Sequence, residues 1–433
     1  MHAAVKQRLE FLSVLRGKNY LKYWIGLVTS VTSHQALITA QGWLVYDITG
    51  EELALGLVAA AQAIPAIAFN LFGGALADRY DPRKLITIGS GSAFLVILLL
   101  AILVITELVQ IWHIVASAFF IGIATSLDQP SRRVIWPALI RRDQFIYATA
   151  LNQGVWNGTR IFAPMIAAAP IAIVGSITGN YQAGAAIAFF LIAVGFATMA
   201  IIIQTIKLPD LKRATGETVL HDIVDGLRFV MSHKIFLILL GMSFAIGYFG
   251  LSYQWLLPAF VVDVLKLGPE NLGLLYTVNG AGGLVGIFIA ASYGQQYSKA
   301  KMIGTGSTIL GLSVFVFGIN GIMAWYWFAL VSAAISGCIY SIFQTAANTL
   351  LNLLVPTEYR GRVMGLRGVM WSLAPLGALQ AGLLASLTNV SIAISTGGAI
   401  VIVMTILIFL FSKQMRSIND LLDQADLREK NYN

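Results

Sequence analysis

Charged residues are scarce in this chain of 433 residues, since Lys, Arg, Asp and Glu together make up only 11% of it. Soluble domains carry about 25% charged and about 45–50% apolar residues. Here 58% of the residues are hydrophobic and the mean hydropathy is +0.78. A water-soluble protein of this size has too little interior to bury so much apolar surface. The composition therefore excludes a soluble enzyme, a nucleic-acid-binding domain and a disordered protein, and it indicates a membrane protein with many spans.

Cysteine is almost absent as well, because Cys338 is the only one in the chain. One cysteine permits neither an internal disulfide nor a cysteine-based metal cluster. The phosphate-binding pattern GxxxxGK[ST], the zinc-protease pattern HExxH and the nucleophile pattern GxSxG are all missing from the sequence. The glycine-rich run 280–286 lies inside a hydrophobic segment, which is wrong for a dinucleotide site. We therefore expect no enzyme activity, no metal and no cofactor.

Hydrophobic runs are what the chain has instead. A helix needs about 20 mostly apolar residues to cross about 30 Å of hydrocarbon. The first run is longer than the core of a secretory signal, so we expect a retained first helix rather than a cleaved leader. The pattern predicts an all-α membrane protein with twelve transmembrane helices, near residues 22–46, 54–77, 85–106, 109–128, 147–175, 180–206, 234–262, 270–293, 302–320, 322–350, 362–388 and 390–412.

Lys and Arg fall almost entirely on one side of these predicted helices. Of the 28 basic residues, 26 lie in the two terminal segments or in every second loop, flanking helix ends included, whereas Arg160 lies inside the fifth helix and Lys266 in a loop of the other side. Cytoplasmic loops carry such an excess of positive charge. We therefore expect a plasma (inner) membrane protein with both termini in the cytoplasm, and the net charge of +8 does not indicate a nucleic-acid partner.

The two halves of the chain resemble each other at an offset of about 215 residues. Residues 139–151 match 354–366 in an apolar pair, an acid and a final leucine, and residues 79–86 align with 296–303. Two parallel halves with a midplane site form one known transporter architecture. We predict six-helix halves at 1–206 and 234–412, a cytoplasmic linker at 207–233 with an amphipathic helix on the membrane surface, and a cytoplasmic tail at 413–433.

A charged loop follows the second predicted helix, with the sequence Gly73-Gly-Ala-Leu-Ala-Asp78-Arg79-Tyr-Asp-Pro82-Arg83-Lys84. The glycines allow the helix end to approach a neighbour closely. The acid and the cations have the chemistry for charge-assisted contacts that hold one conformation shut. The alternative interpretation is ordinary cytoplasmic basic charge beside one unrelated acid.

This loop resembles the signature Gly-x-x-x-Asp-Arg-x-Gly-Arg-Arg/Lys of the major facilitator superfamily. The match falls on Gly74, Asp78, Arg79, Arg83 and Lys84. The loop is one residue longer than the signature, because Asp81-Pro82 stands where the family usually has one glycine, so the placement of the last two cations differs from the family. The resemblance implies the major facilitator fold, alternating access, and a conformational gate formed by these residues at the cytoplasmic rim.

Further stretches resemble the macrolide-efflux and enterobactin-exporter-like branch of that superfamily. They lie at 43–50, 130–134, 225–230, 360–365 and 375–377, which spreads the resemblance over nearly the whole membrane domain. The branch implies export of small molecules without fixing the substrate. The resemblance also implies that the fifth and eighth helices meet, and each carries a small-residue pair suited to close packing: Gly154 with Gly158, and Gly282 with Gly286.

Few ionisable residues lie within the predicted helices, where such residues are costly and usually functional. Arg160 lies near the middle of the fifth helix, and Asp128 lies near the cytoplasmic end of the fourth. Arg160 either binds an anionic group or pairs with Asp128, and a purely structural pair is the alternative. His34 in the first helix has the chemistry to titrate near neutral pH, or it is a packing residue. Because no acid lies at mid-depth, proton coupling rests on Asp128, His34 or a rim acid, or it is absent.

The other candidates for substrate or proton binding are amide and aromatic side chains on predicted cavity helices. Large apolar pockets with a few polar anchors suit amphipathic ligands. These candidates are Gln41, Asn152, Trp156, Asn157, Tyr253, Gln254, Asn279, Gln344 and Asn348.

Together these features predict a secondary active transporter, and more specifically a proton-coupled exporter of amphipathic small molecules of drug or siderophore type. Its partners would be that substrate, protons and the lipid bilayer, and we expect a monomer. An uptake carrier or a lipid flippase on the same fold is the first alternative. A non-transporting membrane receptor or assembly protein is the second, and the presence of flux separates it from both transporters.

Overall fold

The computed structural model describes residues 13–209, 219–294 and 297–416. Nearly all of these residues are helical, and the same ranges contain no β-strand. The predicted all-α fold class is therefore confirmed. The predicted tail falls mostly on residues 417–433, and part of the predicted linker on residues 210–218, both of which lie outside the described residues.

Six long helices follow one another in the N-terminal part of the chain. Asp81 begins the third by accepting a hydrogen bond from a backbone N–H, with Pro82 in the first turn, where a proline costs no hydrogen bond. Gly50 and Gly179 end the first and fifth in the left-handed conformation that favours glycine. The helices are α1 (Lys18–Thr49), α2 (Glu52–Arg79), α3 (Pro82–Ile105), α4 (Ile111–Ala138), α5 (Phe145–Thr178) and α6 (Tyr181–Gln204).

Ten further helices follow, some of them short. They are α7 (Val219–Ser232), α8 (Lys234–Ala245), α9 (Tyr253–Ala259), α10 (Pro269–Tyr293), α11 (Lys299–Ile319), α12 (Tyr326–Leu354), α13 (Thr357–Leu373), α14 (Leu376–Leu387), α15 (Val390–Phe411) and α16 (Lys413–Arg416). Two π-helical turns, Ile246–Gly250 and Phe260–Val264, interrupt the apolar segment Lys234–Val264 that contains α8 and α9. Such turns often occur in helices at functional positions.

Ten segments within the described ranges are long and apolar enough to cross a membrane. The helix α1 is not among them, although it has 32 residues, because polar side chains along it lower its hydropathy. The eleventh predicted span is divided near Pro375 into α13 and α14, and each part is short. The number of twelve spans therefore stays a prediction.

The helices recur along the chain at a nearly constant offset. Both α2 with α10 and α3 with α11 begin 217 residues apart, and α4 with α12 begin 215 residues apart. These offsets agree with the one read from the sequence. The chain therefore repeats an order of helices as well as short sequence patterns.

The chain packs as two compact units, each of which includes a short segment from elsewhere in the sequence. The first unit contains the described residues of 1–50, 61–216 and 268–277, and the second those of 51–60, 217–267 and 278–433. In the first unit α6 packs against α1, α3 and α5, and α3 also packs against α4. In the second unit α11 packs between α12 and α15.

Glycine allows close packing of α10 on α12 within the second unit. Gly282 and Gly286 lie so close to the α12 backbone at Ala334 and Cys338 that a β-carbon at either position would overlap it. The predicted small-residue pair of the eighth span therefore packs on α12, and not on α5. Small residues permit such close approach of membrane helices.

The predicted meeting of the fifth and eighth spans occurs within the first unit, but through other residues. The hydroxyl of Thr277 donates a 2.7 Å hydrogen bond to the carbonyl oxygen of Ile161 on α5. Gly273, one turn before Thr277, also lies against α5. In contrast, no described atom lies within 4 Å of a β-carbon placed at Gly154 or Gly158. That face of α5 is open.

The linker contains the predicted helix, α7, and its second half packs on α13. The rings of Phe229 and Tyr359 stack with centroids 4.2 Å apart, and Asp225 Oδ2 lies 3.7 Å from Arg362 Nη1. Gly226 lies directly against Arg362. Two of the stretches that resemble the exporter branch, 225–230 and 360–365, are therefore brought together by this contact.

Candidate functional site

A buried ion pair lies within α4 of the first unit. Arg132 donates from Nε and Nη2 to Asp128 Oδ2, at 2.9 and 2.5 Å. Both residues are 7% exposed. The remaining Arg132 nitrogen, Nη1, donates to Ser30 Oγ of α1 at 2.8 Å, whereas Asp128 Oδ1 accepts no hydrogen bond from any described residue. One oxygen of this paired carboxylate, Oδ1, is therefore buried without a described hydrogen-bond donor.

The fourth helix extends beyond residue 128, the predicted end of the fourth span. The helix continues for ten residues beyond Asp128, to Ala138. Pro130 and the charges that follow it indicated a loop, but Pro130 lies inside the helix and Arg132 folds back along it to Asp128, one turn away.

The predicted alternative in which Arg160 pairs with Asp128 is wrong, because Arg132 takes that position. Arg160 lies half-buried on α5 and forms no hydrogen bond or ion pair with the residues that the structure describes. Arg132 was not predicted as this partner because it follows Pro130 among charges that are typical of a loop. The signal was present, since an acid and an arginine four residues apart lie on one face of a helix.

Two of the predicted polar residues, His34 and Gln41, lie on α1. His34 is partly buried, its Nδ1 atom makes no hydrogen bond within the described part of the chain, and its ring is within electrostatic range of Arg132. Gln41 is buried and donates to Ser117 Oγ of α4 at 2.9 Å. His34 therefore remains available for a proton or a ligand, whereas Gln41 joins two helices.

The remaining candidates on α5 are mostly held by their neighbours. The hydroxyl of Tyr20 donates to Asn152 Oδ1 at 3.3 Å, and Trp156 packs against the apolar core of the first unit. Asn157 donates to the carbonyl oxygen of Gln153 on its own helix at 2.9 Å. Arg160 makes no side-chain hydrogen bond with the described residues, and Asn152 Nδ2 is buried without one.

In the second unit the structure brings three predicted residues together. Asn279 Nδ2 of α10 donates to Tyr253 Oη and to Ser336 Oγ, both at 3.1 Å. Tyr253 Oη lies 2.7 Å from Ser336 Oγ, and Gln254 Nε2 donates to Asn279 Oδ1 at 3.3 Å. Ser336, on α12, was not predicted because serine is frequent on packed membrane helices and nothing in the sequence distinguishes it.

A second buried arginine lies in the same unit. Arg367 of α13 is 5% exposed and donates from Nη2 to Gln344 Oε1 of α12 at 2.6 Å. Its Nη1 atom makes no hydrogen bond with the described residues. Asn348, one turn beyond Gln344, makes no side-chain hydrogen bond within those residues either. Arg367 is not among the candidates predicted from the sequence, because it lies near the charged flank of a predicted helix.

The structure describes the side chains of only some of the predicted gate residues. For Gly74 and Asp78 the structure describes only the helical backbone of α2. Arg79 and Lys84 are exposed. Arg83 donates to Asp81 from Nε and Nη2, with a shortest distance of 2.7 Å, and from Nη1 to the carbonyl oxygen of Ile206 at 3.1 Å. The acid that lengthens the loop is therefore the partner of Arg83.

Asp81 has two roles at the start of α3, since it caps the helix and pairs with Arg83. The hydrogen bond from the Arg83 side chain lowers the pKa of the Asp81 carboxyl below its usual range. A lowered pKa in the folded protein gives stability that is present above the unfolded pKa of about 3.9 and is lost as the pH falls through the folded value.

Replacing Asp81 with Ala is therefore expected to cost about 1 kcal/mol at pH 7, the usual value of an N-cap. Asp81→Asn keeps a capping oxygen and should cost less, because this partly exposed pair contributes little. Thermal unfolding of the purified protein at pH 7 and at pH 3 measures both. The cost of Asp81→Asn should shrink at the lower pH, and a cost that is equal at both pH values contradicts the assigned role of the charge.

No group of three or more His, Cys, Asp or Glu side chains that could hold a metal ion occurs among the described residues.

Comparison with known proteins gives a match to the family described as "transmembrane secretion effector" over residues 11–431. Macrolide efflux protein A of Streptococcus pyogenes is 22% identical over 409 residues, which cover 92% of this chain and 95% of that protein.

Two further relatives are also described as exporters. The multidrug efflux pump Tap of Mycolicibacterium fortuitum is 25% identical over 365 residues, covering 83% of this chain and 87% of its own. The enterobactin exporter EntS of Citrobacter koseri is 24% identical over 361 residues, covering 80% of each chain.

Solved structures show the same fold at low sequence identity. The nucleoside transporter NupG aligns with a TM-score of 0.72 at 11% identity, covering 91% of this chain and 100% of its own. A D-xylose–proton symporter aligns with a TM-score of 0.70 at 14% identity, covering 94% and 98%.

Proposed function

Because the chain belongs to the transmembrane secretion effector family of the major facilitator superfamily, we propose that it exports amphipathic small molecules in exchange for protons. The chain is a membrane transporter with several spans, not an enzyme, and the resemblance to the macrolide-efflux and enterobactin-exporter-like branch is confirmed. We further propose that it acts as a monomer in the inner membrane with both termini in the cytoplasm.

The proposed proton coupling rests on one observation, that Asp128 Oδ1 is buried without a hydrogen-bond donor in the described part of the chain. A carboxylate at membrane depth marks a proton path more often than a packing site. Arg132 holds Oδ2 with two hydrogen bonds, while Oδ1 has no described donor and is free to take a proton. Protonation would weaken the pair and so alter the contact between α4 and Ser30 of α1. His34, close to Arg132, would pass the proton or share it.

For substrate binding we propose two separate candidates, one within each unit. Arg160, half-buried on α5 and without a hydrogen bond or ion pair to a described residue, would meet an anionic or strongly polar part of the substrate. The group formed by Tyr253, Gln254 and Asn279 would offer hydrogen-bonding amides beside a buried aromatic ring. Such a combination suits amphipathic ligands, and the relatives are named for macrolides, multiple drugs and enterobactin.

For the conformational cycle we propose alternating access between the halves 1–206 and 234–412, with the charged loop after α2 as its gate. The resemblance supports this role for Gly74, Asp78, Arg79, Arg83 and Lys84. The pairing of Arg83 with Asp81 indicates that Asp78 would find its partner among Arg79, Lys84 and residues outside this loop.

The test is accumulation of a panel of amphipathic drugs and siderophore-like acids in pump-deficient cells, with and without a protonophore. Cells that make this chain should accumulate less of at least one compound class, and the protonophore should abolish the difference. Empty-vector cells are the control. Higher accumulation would indicate uptake instead, and a difference that survives the protonophore would contradict proton coupling.

A further inference from the structure

Arg367 is a buried charge on α13 that the proposed transport cycle has not used. It lies ten residues from the start of α13, and Gln344 lies ten residues from the end of α12. At 1.5 Å per residue, each lies about 15 Å from that end of its helix. The two side chains therefore meet in the interior of the packed unit, with Arg367 also six residues before the end of α13 at Leu373.

The environment of Arg367 differs from that of Arg132 in one decisive respect. Both are at least nine-tenths buried, but Arg132 is neutralised by Asp128, whereas Arg367 forms no ion pair with any described residue and donates to an amide. Burying an uncompensated charge is expensive, and leaving one of its N–H groups without an acceptor adds to the cost. An anion bound at this guanidinium would compensate its charge and accept a hydrogen bond from the unpaired N–H group.

We propose that Arg367 and Gln344 form a binding site for an anionic group of the transported molecule, a carboxylate or a phenolate. This inference rests on the proposed export function and narrows its substrate class to amphipathic acids. The guanidinium offers its free Nη1 hydrogens, and an arriving anion would compete with Gln344 for Nη2. Charge-assisted bonds to arginine are the usual means of holding such groups.

The neighbours on α12 fit the same chemistry. Tyr340, Gln344 and Asn348 follow one another at intervals of four residues, which places them along one face of the helix. Tyr340 is within electrostatic range of Arg367, and the amide of Asn348 has no side-chain partner in the described ranges. An acid bound at Arg367 would therefore find further hydrogen-bond donors one turn away on either side.

The experiment compares dansyl-undecanoic acid with its methyl ester, two probes that differ only in the charge. Binding to the purified full-length chain is followed by dansyl fluorescence, and export is followed in vesicles. Three variants are used. Arg367→Gln removes the charge, Gln344→Glu keeps the arginine but supplies an internal carboxylate that competes with the probe, and Arg228→Gln changes an exposed arginine on α7 as the control.

Wild type and Arg228→Gln should bind the acid about ten- to a hundredfold more tightly than Arg367→Gln or Gln344→Glu, the range expected for hydrogen bonds to a charged group. The ester should bind equally to all four. An equal loss of ester and acid binding in both site variants, or wild-type binding with no preference for the acid, overturns the inference. If the inference is overturned in this way, protonophore-sensitive export of the ester still supports the proposed function. If export of the ester fails while the preferential binding of the acid is intact, only the proposed function is overturned.

Discussion

Replacing Arg132 with Gln is expected to lower the free energy of unfolding by about 3–5 kcal/mol. The change leaves the Asp128 carboxylate buried without its cation, and removing one partner of a buried pair costs far more than the pair contributes. It also removes the hydrogen bond that joins α4 to Ser30 of α1. Unfolding of the purified protein in mixed micelles with increasing SDS measures this loss.

The adjacent residue provides a matched control. Arg133 differs from Arg132 by one position on α4 but is exposed, so Arg133→Gln should change the stability by less than about 0.5 kcal/mol. The double variant Asp128→Asn with Arg132→Gln replaces both charges by neutral amides and should recover most of the loss. Equal costs for Arg132→Gln and Arg133→Gln, or no recovery in the double variant, contradict a buried ion pair.

Hydropathy predicted the fold class well because a membrane helix must satisfy its own backbone and bury few charges. The same reasoning failed for α4 and α13. Asp128, Arg132 and Arg367 were assigned to helix ends, since charges normally mark the limits of a span. Their helices continue because Asp128 and Arg132 pair with each other within α4, and Gln344 of α12 accepts a hydrogen bond from Arg367 of α13. Pairing between side chains is not contained in an average over a window of sequence.

For the candidate site residues, too, the sequence predicts the polar positions but not the contacts between side chains. Tyr253, Gln254 and Asn279 were chosen as polar groups on apolar helices, and the structure brings them together because such groups find one another in an apolar interior. Ser336, which holds two of them, carried no signal of its own. The position of Arg83 was uncertain from the sequence, since only the folded loop shows that Asp81 takes it as a partner.

Replacing Asp128 with Asn is expected to abolish protonophore-sensitive export, and it also lowers the stability because the buried Arg132 guanidinium loses its anion. The introduced amide oxygen still accepts hydrogen bonds from Arg132, but it cannot exchange a proton. One proton moving down a potential of about 100 mV supplies about 2.3 kcal/mol, which corresponds to about a fiftyfold concentration ratio of substrate. The variant should lose that ratio and still equilibrate substrate across the membrane.

Two flux measurements in vesicles separate a coupling defect from a damaged protein. Net export against a gradient should fall to the level seen with a protonophore, whereas exchange of labelled for unlabelled substrate should continue. Asp143→Asn, at an exposed acid that pairs with Arg141, is the control and should keep both activities. If exchange is lost together with net export, Asp128 is needed for the fold, and restoring exchange with the double variant at Asp128 and Arg132 would confirm that cause.

The outcome for His34 then decides how the proton reaches Asp128. If Asp128 is the proton site and His34 only relays, His34→Gln should slow net export without changing the final concentration ratio, because a relay affects rate and a coupling site affects the energy supplied. If net export in Asp128→Asn is undiminished and His34→Gln removes it, the imidazole carries the coupling proton. In that case the ion pair of α4 serves only to hold α1 and α4 together.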